Sequence, residues 1–176
     1  MMRIAGIDPG TASTGFAVIE YGGDRSKILK TIVVETPKEL DIQHRIYQIF
    51  GTVEGYIRVN RPELIAIEDF TFQGRTITHD AQGVNRVIGA LYLILEYAPI
   101  SMLMASDWKH AITGLRCPKS GFRTPGESKK QLDLAVRRAV QLRTGYIIAG
   151  EKQHVIDAAG VALVAGDRCR FNKGGR

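Results

Sequence analysis

Short apolar runs and turn signals alternate along the first third of the chain. Ile4–Asp8, Gly15–Tyr21 and Ile28–Glu35 read as three consecutive strands, separated by turns at Pro9-Gly10 and Gly22-Gly23-Asp24. The period then changes. Ile46, Ile49, Phe50, Val53 and Ile57 recur at helical spacing, predicting a helix from about Leu40 to Arg58 that Asn60-Arg61-Pro62 breaks. Leu64–Glu68 is a short apolar strand. Val84, Val87, Ile88, Leu91, Tyr92 and Leu95 predict one inward face of a helix over Asp80–Tyr97, ended by Pro99. Ile100–Met104 is a fifth strand. A Gly/Pro-rich basic loop covers Gly114–Gly126, and a helix over Ser128–Arg143 turns Leu132, Ala135, Val136 and Ala139 inward. The last helix, from His154 to about Ala165, is apolar nearly all round and should be buried. Residues 166–176 are expected to be a flexible basic tail. The order predicts an α/β fold in which a mixed five-stranded sheet carries helices on both faces, as one domain over residues 1–176.

Three carboxylates stand out against this pattern. Asp8 and Glu68 each end an apolar strand, where a carboxylate at the edge of the core needs a cation or donor to offset its desolvation. If the two strands are parallel neighbours, both groups meet at one sheet edge. Asp157 and His154 lie three apart on the buried helix and so share a face. Asp69, next to Glu68, points to the opposite face of its strand. Oxygen-rich donor sets of this kind suit Mg²⁺ or Mn²⁺ better than zinc. Two such ions could clamp a phosphodiester displacement.

Charge adds a partner. The chain of 176 residues carries +6, and Arg116, Lys119, Arg123, Lys129, Lys130, Arg137, Arg138 and Arg143 are opposed in their stretch by Glu127 and Asp133 alone. The whole excess therefore sits in one segment, which reads as a footprint for a polyanion, most often nucleic acid. The two cysteines, Cys117 and Cys169, form no CxxC pair, which argues against structural zinc and fits a reducing cytosol. There is no apolar run long enough for a transmembrane helix and no secretion signal, so a cytoplasmic protein is expected.

Gly6-Ile7-Asp8-Pro9-Gly10 with Thr14-Gly15, then Ala66-Ile67-Glu68, then His154-Val155-Ile156-Asp157-Ala158-Ala159-Gly160-Val161-Ala162 together resemble the RuvC family of Holliday-junction resolvases, within the RNase H-like nucleases. The resemblance implies an RNase H-like fold and a metal-dependent endonuclease that nicks four-way junctions as a homodimer. It implies that Asp8, Glu68, His154 and Asp157 are catalytic metal ligands for two Mg²⁺ (or Mn²⁺) ions. It implies DNA contacts at Lys109 and at Lys129, with Lys130 adjacent. An aromatic wedge is implied after Glu68, at Phe70 or Phe72, and Phe72 is favoured as the residue further into the loop. Arg75 in that loop, and Arg116, Lys119 and Arg123 in the basic loop, are further expected DNA contacts. The helix over Asp80–Tyr97 matches the family's dimer helix. The small size and long basic loop would fit a viral member acting in a host cytoplasm. A branch-migration partner is left open.

The alternative is an RNase H-like nuclease acting on flaps, other branched DNA or RNA–DNA hybrids. The first motif also resembles the phosphate loop of the actin and sugar-kinase superfamily, but a chain of this size has no room for that superfamily's two domains.

Overall fold

Alternation in the strands decides which side of the sheet each residue serves. In the computed structural model, which describes residues 1–70, 79–115, 125–147 and 149–174, five strands lie in the order β3-β2-β1-β4-β5. They are β1 (Met2–Asp8), β2 (Ser13–Tyr21), β3 (Lys27–Glu35), β4 (Leu64–Asp69) and β5 (Ile100–Met104). The first three form an antiparallel meander, while β1 pairs parallel with β4 and β4 with β5. Ala5, Ile7, Phe16, Val18, Ile65 and Ile67 face one core. Ile4, Ala17, Ile19, Leu64 and Ala66 face the other. Asp8 and Glu68 continue the second series by the two-residue period.

The first core is covered by α1 (Ile42–Asn60) and α2 (His79–Leu91), through Ile49, Val53, Ile57, Val87 and Leu91. Asp41 caps α1, accepting the amides of Gln43 and His44, and Arg61 ends it in the left-handed conformation just before Pro62. The second core is covered by α3 (Ala105–Thr113), α4 (Pro125–Thr144) and α5 (Gln153–Gly174).

Glycines set how close α5 comes. A Cβ at Gly6 would stand 1.9 Å from the Ala158 carbonyl oxygen, and one at Gly15 would stand 2.0 Å from that of His154. The helix backbone therefore lies directly on β1 and β2, which only hydrogen at these positions allows.

Three expectations change. The helix expected through Tyr97 is α-helical only to Leu91 and continues as a 3-10 turn over Tyr92–Glu96. The three-residue period keeps Leu91 and Ile94 both buried and turns Tyr92 and Leu95 out to solvent. The last helix, expected to end near Ala165, gains a further stretch that runs through Gly174. Its first turn is held at Asp167, which accepts both terminal nitrogens of Arg143 at 2.7 Å and the Tyr21 hydroxyl at 2.6 Å. Burial and the Asp167 carboxylate together push the Tyr21 hydroxyl up to about 12. Finally, α3 is an element that the apolar pattern does not predict: its inward positions are few, and Trp108 is the one fully buried residue among them.

Candidate active site

Three elements converge at the C-terminal edge of β1 and β4. Parallel pairing of Ile7 with Ile67 brings the next residues, Asp8 and Glu68, side by side on the α5 face. The first turns of α5 lie over that edge and bring His154 and Asp157 to it. Nδ1 of His154 is 2.6 Å from Asp8 Oδ2.

Two partners come from α3, which starts directly after β5. Consecutive residues take consecutive carboxylates: Trp108 Nε1 donates to Glu68 Oε2 at 3.1 Å, and Lys109 Nζ donates to Asp157 Oδ2 at 2.9 Å. The other oxygen of Asp157 accepts from Gln153 Nε2 at 2.7 Å. The Gln153 carbonyl in turn accepts from Arg137 Nε at 3.0 Å, and Arg137 also donates to the Glu151 backbone carbonyl. A guanidinium can only donate, so this contact fixes which end of the Gln153 amide faces Asp157.

The electrostatics follow from burying like charges together. Burial pushes Glu68 up to about 8, reinforced by the neighbouring charge of Asp8 and opposed by Lys109. Burial also raises Asp8, with the His154 hydrogen bond working against it. His154 is raised, first by its hydrogen bond to Asp8. For Lys109 burial disfavours the charged form, yet Asp157 and Glu68 outweigh it and its pKa is raised.

All four residues expected at the metal site, Asp8, Glu68, His154 and Asp157, thus meet at one edge. As they stand, no three His, Cys, Asp or Glu side chains among the described residues are gathered closely enough to hold an ion. Asp157 is engaged by Lys109 and Gln153, and Asp8 by His154. Lys109, expected at a phosphate, sits inside the cluster with its side chain only 14% exposed. Lys129 and Lys130 are exposed on the first turns of α4. Of the other basic residues in the expected footprint, Arg137 and Arg143 turn inward to protein partners. Phe72, Arg75, Arg116, Lys119 and Arg123 lie outside the described residues. Phe70 is described and is 40% exposed.

Sequence reasoning missed Trp108 and Gln153. Ala105, Trp108 and Ile112 do carry helical spacing just ahead of Gly114, and Lys109 stands next to the Trp. Nothing in the sequence marked Gln153 beyond its position four residues before Asp157.

The profile of the crossover junction endodeoxyribonuclease RuvC family matches residues 4–164. RuvC of Brevibacillus brevis is 26% identical over 162 residues, covering 92% of this chain and 90% of that protein. RuvC of Rhodococcus jostii is 34% identical over 116 residues, 64% of this chain but only 60% of the relative's length. The structure of Thermus thermophilus RuvC in complex with a Holliday junction substrate superimposes with a TM-score of 0.78 at 22% identity, covering 97% of this chain and 96% of that one. Fowlpox virus resolvase, in complex with its substrate Holliday junction DNA, superimposes with a TM-score of 0.56 at 12% identity, covering 96% and 99% of the two chains. These likenesses show the RNase H-like fold. With the family profile matching nearly the whole sheet and the helices around it, the chain belongs to the RuvC family of crossover junction endodeoxyribonucleases.

Proposed function

We propose that this chain resolves four-way DNA junctions by paired, symmetric nicks, and that Asp8, Glu68, His154 and Asp157 form its catalytic, metal-binding set. The observation that carries the reading is the convergence of these four side chains from β1, β4 and α5, with burial and mutual repulsion raising Glu68 to about 8. Membership of the family implies dependence on a divalent metal. The donor set fits one: carboxylate oxygens suit a hard cation, and the Lys109 ammonium on Asp157 already occupies the place of positive charge. We take the metal to be Mg²⁺ or Mn²⁺, two ions held by these four residues. When bound, the ions supply Lewis-acid stabilisation of charge on the phosphate and on the leaving 3′ oxygen.

The chain's own groups do the rest. Trp108 donates to Glu68 and Gln153 to Asp157. The Lys109 ammonium, placed at the cluster by its bond to Asp157, would serve a phosphate oxygen near the scissile bond. Lys129 and Lys130 track the backbone of an adjacent arm, fixing position without reading sequence. Phe72 is proposed as the wedge at the junction centre, with Arg75, Arg116, Lys119 and Arg123 as further phosphate contacts. Hydrolysis with loss of the 3′ oxygen leaves a 5′-phosphate and a 3′-hydroxyl that a ligase can seal.

Symmetric nicking needs two sites, so the protein is proposed to work as a homodimer. Exposed Tyr92, Leu93 and Leu95, beside the helix expected at the dimer contact, support this. Among the described residues no helix is long and apolar enough to cross a membrane. Action on DNA in the cytoplasm is the corresponding proposal.

The test is the isosteric change Asp8→Asn. It is expected to lower single-turnover junction cleavage by a factor of about 10³ or more while junction binding in a gel-shift assay stays intact. Cleavage at the wild-type rate would remove Asp8 from the reaction.

A further inference from the structure

The chain contains a single tryptophan, Trp108, and it is fully buried. Its indole N–H ends 3.1 Å from Glu68 Oε2. The ring is trapped against α5: a Cβ at Gly160 would stand 2.6 Å from it. Gly160 lies one turn beyond Asp157, so the ring spans from the helix carrying Asp157 to the strand carrying Glu68. The next residue, Lys109, places its ammonium 5.0 Å over the same ring while reaching Asp157.

We propose that Trp108 is a positioning residue for Glu68, holding one carboxylate oxygen by the indole N–H so that the group is pre-set to receive a divalent cation. The inference rests on the reading of Glu68 as a metal ligand. Indole is a donor without an acceptor, so it can fix a carboxylate in only one sense. Being neutral, it orients Glu68 without adding charge that would compete with the incoming cation. Lys109 does the opposite at Asp157, bonding the group through a charge that metal must displace. The two consecutive residues of α3 therefore divide the work: Trp108 sets geometry and Lys109 sets charge. Outer partners of metal ligands act in this way, and their loss typically weakens metal affinity or activity by roughly 10–100-fold.

A buried tryptophan can also simply fill a core, and the test separates the two roles. Because Trp108 is the only tryptophan, growth on β-(3-benzothienyl)alanine replaces the indole N–H with sulfur at that position alone and keeps the ring. The full-length substituted protein is compared with the wild type and with Trp108→Phe in three measurements. These are Mn²⁺ affinity without DNA, from the electron paramagnetic resonance of free Mn²⁺; the metal midpoint of junction cleavage; and the circular dichroism melt. The expected result is a roughly 10-fold or greater loss of Mn²⁺ affinity and a matching rise in the cleavage midpoint. Both should occur in a sulfur-substituted protein that keeps the wild-type spectrum. Unchanged Mn²⁺ affinity and midpoint in the sulfur-substituted protein would overturn the proposal, whatever Trp108→Phe does to folding. Glu68→Gln in the same assays tests the underlying reading. If it binds Mn²⁺ and cleaves normally, the metal assignment itself falls. If it loses both while the sulfur analogue loses neither, only the role of Trp108 falls.

Discussion

Lys109 closes on Asp157 with its ammonium 2.9 Å from the carboxylate, both side chains almost out of solvent at 14% and 9% exposure. An ion pair this buried is costly to break from one side. Removing one partner of such a pair typically costs about 3–5 kcal/mol, because the other is left buried and uncompensated. Lys109→Met should therefore lower the melting temperature in EDTA, and added Mg²⁺ should recover more stability in the variant than in the wild type. Cleavage should fall as well, since the cation for the scissile phosphate is gone. A melting temperature unchanged in EDTA would mean that Lys109 is not the counter-charge of Asp157 in solution.

The cluster makes stability depend on pH in a definite direction. Glu68 is raised from 4.5 to about 8, so between those values the folded protein holds a proton that the unfolded chain has released. Stability from this group is lost as pH rises through that window. His154, raised above 6.5 by its bond to Asp8, contributes in the same direction: its stabilisation is full below 6.5 and fades as pH rises through the folded value. Metal-free protein should thus melt lower at pH 8.5 than at pH 5.5. Mg²⁺ should reduce the difference by neutralising the deprotonated cluster, acting as a ligand of the folded state. Thermal melts at both pH values, with EDTA and with Mg²⁺, check this; a higher melting temperature at pH 8.5 in EDTA would contradict it.

Gly15 decides where His154 sits. A methyl group there would meet the His154 carbonyl oxygen at 2.0 Å, and backbone cannot yield as a side chain can. Gly15→Ala should cost at least about 1–3 kcal/mol, the usual range for overpacking, and push the start of α5 away from Asp8. Denaturant unfolding and a cleavage assay together test it: lost stability should come with lost activity. A variant as stable and active as the wild type would show that α5 does not lie against β2 as described.

Much of this site could be read from the chain because strands and helices have fixed periods. Asp8 and Glu68 share parity with Ile4, Gly6, Leu64 and Ala66, so one parallel pairing was enough to bring them together. Asp157 stands out because a helix otherwise apolar has no ready way to bury it, and His154 shares its face one turn earlier. What stayed hidden depends on contacts far apart in sequence. Trp108 is 40 residues from Glu68, and Lys109 is 48 from Asp157. The nine-residue helix that aligns both is too short to print a strong period. Counting charge was likewise blind to direction. Arg137 and Arg143 add to the basic excess, yet one holds Gln153 and the other Asp167. The same Asp167 contacts lie just past Ala165, and α5 runs on from there through Gly174.

That this edge of the sheet cuts junctions is the proposal on which the rest depends. Its most direct test is end-labelled synthetic four-way DNA incubated with the protein and Mg²⁺ or Mn²⁺, beside linear duplex, flap and RNA–DNA hybrid controls. Paired nicks at symmetric positions in the junction, ends that ligase reseals, and no cleavage without a divalent ion are the expected result. Cleavage of flaps or hybrids with the junction left intact would contradict it.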